Sequence, residues 1–86
     1  MRFIVYLGKR YESNNITDLR KKVCEYIKEN GGSHTIYVRK TPYLVEAYEH
    51  MYTSHDHYVF KEYIMTKDRI KGFYKVDPKT GRIRKG

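Results

Sequence analysis

One segment of this sequence has helical periodicity, and it constrains the fold more than any other feature. Apolar side chains recur three, seven, ten and eleven residues after the first of them, which brings them to one side of a helix. They are Ile16, Leu19, Val23, Tyr26 and Ile27. Asn15 suits the N-cap, and Gly31 suits the left-handed conformation that ends a helix. We therefore expect one amphipathic helix over about residues 15–30, with an outer face of mixed charge.

Most of the remaining chain is typical of strands, because apolar and polar residues alternate and β-branched and aromatic residues are frequent. The strand-like segments are 3–7, 34–40, 58–65, 70–76 and a short last one at 82–84. Gly8-Lys9 predicts a two-residue type II′ hairpin loop, and Pro78 and Gly81 predict a turn over residues 77–81. Gly72 marks a candidate bulge inside its strand.

Residues 41–52 fit two structures. Thr41-Pro42 suits the start of a helix, and four residues have helical spacing after it: Leu44, Ala47, Tyr48 and Met51. The run of residues 43–45 also suits a strand. The sequence favours a helix here, or else a strand that pairs with residues 57–65.

Together these elements predict a single α+β domain over residues 1–86. An N-terminal β-hairpin or strand comes first, then the helix, then an antiparallel sheet that ends in a basic C-terminal hairpin. An apolar fraction of 40% with 33% charged residues excludes a disordered chain and suits one modest core. Cys24 is the one cysteine, so no internal disulfide can form. No apolar run approaches the roughly 20 residues that cross a membrane. We expect a cytoplasmic protein with no membrane partner.

Positive charge gathers at the C-terminal end of the chain. The net charge is +8, and residues 67–86 hold eight Lys and Arg against Asp68 and Asp77. Residues 41–66 are net acidic, with Lys61 against four carboxylates. Such an asymmetry predicts one basic surface region that contacts a nucleic acid or an acidic protein surface.

The basic C-terminal hairpin is the candidate binding surface, because cations neutralise phosphates and flat rings stack on bases. Strand alternation predicts that Ile70, Tyr74 and Val76 face the core. The opposite face then carries Arg69, Lys71, Phe73 and Lys75. The candidate nucleic-acid-binding residues are Arg39, Lys67, Arg69, Lys71, Phe73, Lys75, Lys79, Arg82 and Arg84, with Lys85 beside them. The alternative is an edge strand whose cations only prevent aggregation.

A second group of residues could extend this surface across the sheet. Ile36 and Val38 point to one side of their strand, which leaves Tyr37 and Arg39 on the other. If the first strands share that outer face, Arg2 and Tyr6 join it. Stacking on bases would then fall to Tyr37, Phe73 or Tyr74. The alternative is ordinary packing of tyrosine against arginine across neighbouring strands.

The histidines offer weaker candidates. His50, His55 and His57 lie within eight residues, but a His-x-His pair supplies two zinc ligands and no second cluster completes a tetrahedral set. We therefore expect a polar loop with surface histidines, no metal and no cofactor. Cys24 is expected to be a packing residue, not a nucleophile.

Three functions are compatible with this pattern. The first is a non-enzymatic nucleic-acid-binding protein; contact with about six phosphates of B-DNA would give log K a slope near −5 against log salt. The second is a protein–protein inhibitor or adaptor, of the kind by which some viral proteins block a host nuclease or defence complex. The third is a small metal-independent ribonuclease. An exposed edge strand or a tyrosine-rich face could also mediate a homodimer.

The ribonuclease hypothesis assigns roles to particular residues. His55 or His57 would be the general acid or base, with Tyr58 or Glu62 as its partner and Arg69 as the phosphate clamp. These residue types are common in any basic domain, so the sequence favours a non-enzymatic protein without catalytic residues.

Overall fold

The computed structural model describes residues 2–41, 43–54 and 56–84, and this part of the chain forms one α-helix and seven strands. Pro42, His55 and Lys85 lie outside the described residues. The elements in chain order are β1 (Phe3–Tyr6), β2 (Arg10–Ser13), α1 (Ile16–Asn30), β3 (Thr35–Thr41), β4 (Leu44–Thr53), β5 (Tyr58–Ile64), a 3₁₀ turn (Met65–Lys67), β6 (Arg69–Val76) and β7 (Ile83–Arg84). All neighbouring strands are antiparallel in one sheet of order β2-β1-β3-β4-β5-β6-β7. The predicted α+β class is confirmed.

The helix lies where its periodicity and caps predict it. The Asn15 side chain accepts a hydrogen bond of 3.0 Å from the Thr17 backbone N–H, which satisfies one free donor of the first turn. At the other end Gly31 has φ +74°, and its N–H donates to the Ile27 carbonyl at 2.7 Å. Local capping therefore fixes both ends of α1.

Residues 44–53 form β4, so the helical interpretation of residues 41–52 is wrong and the strand alternative is right. β4 lies between β3 and β5, with Tyr48 opposite Ile36 on one side and opposite Glu62 on the other. Both neighbouring strands present backbone donors and acceptors that a helix at this position would leave unpaired. The helical spacing of the apolar residues is outweighed by strand pairing on both sides of β4.

The N-terminal hairpin forms as predicted, but its loop is longer. Tyr6 pairs with Arg10, which leaves three residues, 7–9, in the connection instead of two. Gly8 has φ +78° and makes the reversal. Leu7 is 6% exposed and belongs to the core cluster. Burial of the Leu7 side chain in the core places this residue in the connection and not in the strand pairing, which makes the loop one residue longer.

The core lies between α1 and one face of the sheet. It contains the buried side chains Val5, Leu7, Leu19, Val23, Cys24, Ile36, Tyr58, Phe60 and Val76. The Tyr74 ring lies parallel to Phe60, with 6.5 Å between the ring centroids. Among the described residues no helix packs on the opposite side of the sheet, which we call the open face.

A buried arginine ties the last turn of the sheet to the helix. Arg20 is 6% exposed, and its Nε donates to the Gly81 carbonyl at 2.7 Å while its guanidinium also donates to the Thr17 hydroxyl at 3.1 Å. The turn itself forms as predicted, because the Gly81 N–H donates to the Asp77 carbonyl at 2.8 Å. At 100° per residue, Arg20 falls between Ile27 and the core cysteine, so its place on the apolar face was readable from the sequence but was missed.

A register shift in β6 reverses the predicted alternation of its first residues. Gly72 lies opposite Glu62, but the next pair is Ile70 with Tyr63, so Lys71 is the extra residue of a bulge. Ile70 therefore points to the open face and is 56% exposed. The prediction that Ile70 belongs to the core is wrong, and the bulge expected near Gly72 is confirmed.

We predict that Gly81→Ala destabilises the protein far more than Gly8→Ala. Both glycines have φ near +77°, which costs an L-residue about 1–2 kcal/mol. A Cβ on Gly81 would also strike the Thr17 carbonyl and approach the Lys21 backbone nitrogen to 2.9 Å, whereas on Gly8 its nearest neighbour lies at 4.0 Å. Urea unfolding should show a loss of about 3–5 kcal/mol for Gly81→Ala. Equal losses in the two variants would contradict this packing of the turn.

Candidate nucleic-acid interface

A row of side chains crosses five strands on the open face. Residues directly opposite each other in antiparallel strands point to the same side of the sheet. Ile4 lies opposite Tyr37, Tyr37 opposite Ala47, Ala47 opposite Tyr63, and Tyr63 opposite Ile70. Ala47 is 0% exposed although no helix of the described residues covers it. The larger side chains beside it therefore form a continuous apolar and aromatic surface.

Three more rings extend this row. Phe73 lies opposite Lys61, and Tyr52 lies opposite Val59, both on the open face. Tyr6 follows Ile4 by two residues and so points the same way. Tyr6, Tyr52 and Phe73 are 59%, 60% and 59% exposed. We call the five rings Tyr6, Tyr37, Tyr52, Tyr63 and Phe73 the aromatic face.

Cations lie among these rings, but carboxylates neutralise most of them. Lys61 Nζ lies 3.2 Å from a Glu49 oxygen and 4.8 Å from the centroid of the Tyr63 ring. Arg84 bridges Asp56 and Asp77 at 3.1 and 3.5 Å. At the other edge of the sheet, Glu12 pairs with Arg10 and with Arg2. The open face is therefore mainly aromatic and only moderately basic.

Lys75 differs from the other cations of the open face. It is exposed and lies opposite Val59 and Arg84. Among the described residues no carboxylate lies within 4 Å of its ammonium group. It is the cation of this face best placed to meet an external anion.

Lys71, a predicted site residue, is turned away from the open face. Its Nζ lies 3.4 Å from a Glu46 oxygen and 3.5 Å from a Glu62 oxygen. Glu46 is 3% exposed, so Lys71 supplies a counter-charge to a buried carboxylate. The two carboxylates, Glu62 foremost, raise the pKa of Lys71. The bulge turns Lys71 toward these carboxylates, which explains why simple alternation misplaced it.

The other predicted site residues fall into separate groups, so the prediction of a single basic face on one hairpin is wrong. The open face holds four of them: Arg39, Phe73, Lys75 and Arg84. The rest lie at or beside the two ends of β6: Lys67 and Arg69 at one end, Lys79 and Arg82 at the other. The eight residues of this strand keep its two ends about 24 Å apart.

The extension of the surface across the sheet has the geometry it required. Tyr6, Tyr37 and Arg39 share the open face with Phe73. Tyr74, in contrast, points toward the helix and packs on Phe60, so the prediction that it could stack on a base is wrong. Burial raises the pKa of Tyr74 well above its usual range.

Two rings of the aromatic face were missed in the sequence. The period of two along β5 places Tyr63 beside Lys61 and could have revealed it. Tyr52 could not be found in this way, because Met51 is an extra residue between the pairs of His50 with Phe60 and Tyr52 with Val59. A bulge changes the side to which every later side chain points.

His50 is not the surface histidine that we expected. It lies within β4, is 5% exposed, and its Nε2 is 3.1 Å from the Thr53 hydroxyl. Its ring packs against Tyr58 and Phe60 with centroids 5.5 and 5.8 Å apart. Burial, and then the neighbouring His34, lower the pKa of His50. The side chain is a core residue.

The residues of the ribonuclease hypothesis do not converge. His57 Nδ1 lies 2.8 Å from an Asp56 oxygen near the start of β5, whereas Arg69 pairs with the last residue of that strand. Seven residues of strand separate the two ends by about 20 Å. Tyr58 is 8% exposed, and Glu62 is engaged by Lys71. His55 lies outside the described residues.

Cys24 is unsuited to act as a nucleophile. Cys24 is 1% exposed, and burial raises its pKa to about 12, so the thiol stays protonated and unreactive. Within residues 2–41, 43–54 and 56–84 no group of three metal-ligating side chains occurs. In the same residues no helix is both long and apolar enough to cross a bilayer.

Comparison of the chain with protein-family models, with curated proteins and with solved structures finds no match. The open face is therefore interpreted from its own side chains.

We predict that the protein loses stability as the pH falls through about 6.5, where the imidazole of the unfolded chain takes up a proton. The pKa of His50 is lower in the folded state, so the unfolded state binds more protons in this range. The free energy of unfolding should fall by at most about 1.4 kcal/mol per pH unit.

Urea unfolding between pH 8 and pH 5 measures this dependence. His50→Gln should flatten the curve, whereas His57→Gln retains the buried His50, so the loss of stability below about pH 6.5 should persist. Identical curves for the two variants would contradict the assignment to His50.

Proposed function

We propose that this protein binds single-stranded nucleic acid on its aromatic face. One observation carries the proposal: five aromatic rings lie on a sheet face that no described helix covers, and three of them are more than half exposed. Large exposed apolar patches are rare on monomeric proteins and mark interaction surfaces.

Flat rings on an open sheet suit unpaired bases. A base that stacks on an aromatic side chain contributes about 1–3 kcal/mol, and every base offers such a face. In a duplex these faces are covered by neighbouring base pairs, so the rings could not reach them. The aromatic face therefore favours a single strand over a double helix.

The charges of the open face supply a moderate attraction for the backbone. Lys75 is exposed, with no carboxylate of the described residues within 4 Å of its ammonium group, and Arg39 is exposed on the same face. The net charge of +8 adds a long-range attraction for polyanions. Contact with two or three phosphates gives log K a slope of about −2 against log salt for a single strand. The carboxylate contacts of Arg2, Arg10, Lys61 and Arg84 make this slope shallower than the sequence alone predicted.

We predict that Phe73→Ala and Tyr6→Ala each weaken binding to a fluorescein-labelled 12-nucleotide single strand about 5- to 100-fold, because each removes a stacking ring. Fluorescence anisotropy with RNA, DNA and a duplex of the same sequence measures the effect. Tyr43→Ala is the control: Tyr43 is 87% exposed but lies in the turn between β3 and β4. The affinity of the Tyr43→Ala variant for the single strand should stay within twofold of that of the unchanged protein.

A charge-matched pair of variants separates the aromatic face from general attraction. Lys75→Gln and Lys28→Gln remove the same charge from opposite sides of the molecule, since Lys28 lies on α1. We expect the first to weaken binding and reduce the salt slope by about 0.7, and the second to do neither. Equal effects, or tighter binding of the duplex, would contradict the proposal. Partners captured from a nuclease-treated lysate would instead favour the inhibitor or adaptor.

A further inference from the structure

The outer edge of β6 is only partly covered. β7 pairs with Lys75 and Val76 alone, whereas β6 begins at Arg69. Within the described residues no strand lies beside the outer edge of residues 69–73. The backbone donors and acceptors on that edge have no strand partner in the described part of the chain, and an unpaired edge of this kind can accept a further strand.

The side chains of this edge divide by chemistry between the two sides of the sheet. On the open face lie Ile70 and Phe73, which are 56% and 59% exposed. On the helix side lie Arg69, which is exposed, and Lys71, whose side chain is 40% exposed beside its carboxylates. A strand added here would meet apolar groups on one side. On the other it would meet the exposed Arg69, next to a Lys71 whose charge is already shared by Glu46 and Glu62.

We propose that the outer edge of residues 69–73 binds an extended acidic segment of another protein by strand addition. The backbone ladder of a sheet edge is matched by a polypeptide and not by a nucleic acid. Alternate side chains of the added strand would be apolar, packing on Ile70 and Phe73, and acidic, facing the exposed Arg69. The ligand class is a peptide in which apolar and acidic residues alternate.

The same charges argue against a second copy of this chain as the occupant. Two β6 edges side by side would bring Arg69 and Lys71 of both copies to one seam, and like charges across neighbouring strands are unfavourable. The other outer strand, β2, carries Arg10 as well as Glu12 and offers no net negative charge. Cations on an edge guard it against self-association, and they attract an acidic strand.

The test uses the probe peptide acetyl-(Val-Glu)₄-amide and the whole protein. Two control peptides have the same sequence but carry N-methyl groups on every valine or on every glutamate, which removes the N–H donors of one strand edge. We expect one of these controls to bind at least tenfold more weakly than the probe by calorimetry. The probe should also slow hydrogen exchange of amides in residues 69–73. Equal affinity of all three peptides would overturn strand addition.

Variants separate this edge from the aromatic face. Arg69→Glu should weaken the probe peptide at least tenfold and leave the single-stranded oligonucleotide unaffected, whereas Lys28→Glu on α1 should leave peptide binding within twofold. The proposal is overturned if (Val-Lys)₄ binds as well as the probe. It is also overturned if sedimentation shows a concentration-dependent dimer, and if this dimer slows hydrogen exchange of residues 69–73 in the absence of the peptide.

Discussion

A single helix covers one face of a seven-stranded sheet, and the rest of the molecule follows from that asymmetry. α1 has 15 residues and is about 22 Å long, whereas seven strands at 4.8 Å spacing span about 30 Å. One helix can shield one face, so the branched and aromatic side chains needed on that side form the core. The opposite face must be stable in contact with water, and tyrosine suits it because its ring packs while its hydroxyl is hydrated.

The helix holds the far end of the sheet through hydrogen bonds as well as through apolar contact. Arg20 reaches out of the core to the Gly81 carbonyl, and the absence of a Cβ on Gly81 lets the turn approach α1. The guanidinium satisfies a carbonyl that would otherwise be buried without a partner, and its stem fills space beside Cys24. Tertiary contact with the helix thus fixes where the short strand β7 begins.

Local signals in the sequence predicted the elements that are determined locally. Asn15 and Gly31 define the helix ends, and the alternation of Ile36 and Val38 defines β3, because each depends on neighbouring residues. β4 was ambiguous because its apolar spacing suits a helix as well, and only its two neighbours decide between them. These pairings join consecutive strands, and the apolar spacing of β4 by itself does not record them.

The candidate site was predicted in part, and bulges explain most of the difference. Lys71 and Met51 are extra residues in their strands, and each reverses the alternation beyond it. The predicted basic face of the hairpin does not form for this reason: the Ile70 side chain points to the open face, and Lys71 points toward Glu46. The aromatic character of Tyr37 and Phe73 was readable from the sequence. The sequence does not show the strand register that places Tyr37 and Phe73 on the same face as Tyr63.

The central claim is that the open face, and not the charge of the chain as a whole, is the binding surface. Nitrogen–proton correlation spectra recorded during titration with a 12-nucleotide single strand test it residue by residue. We predict the largest shifts at Tyr6, Tyr37, Tyr63 and Phe73, with the amides of α1 unchanged. Shifts concentrated on α1 and on the turns at the two ends of β6, with the aromatic face unchanged, would contradict the account.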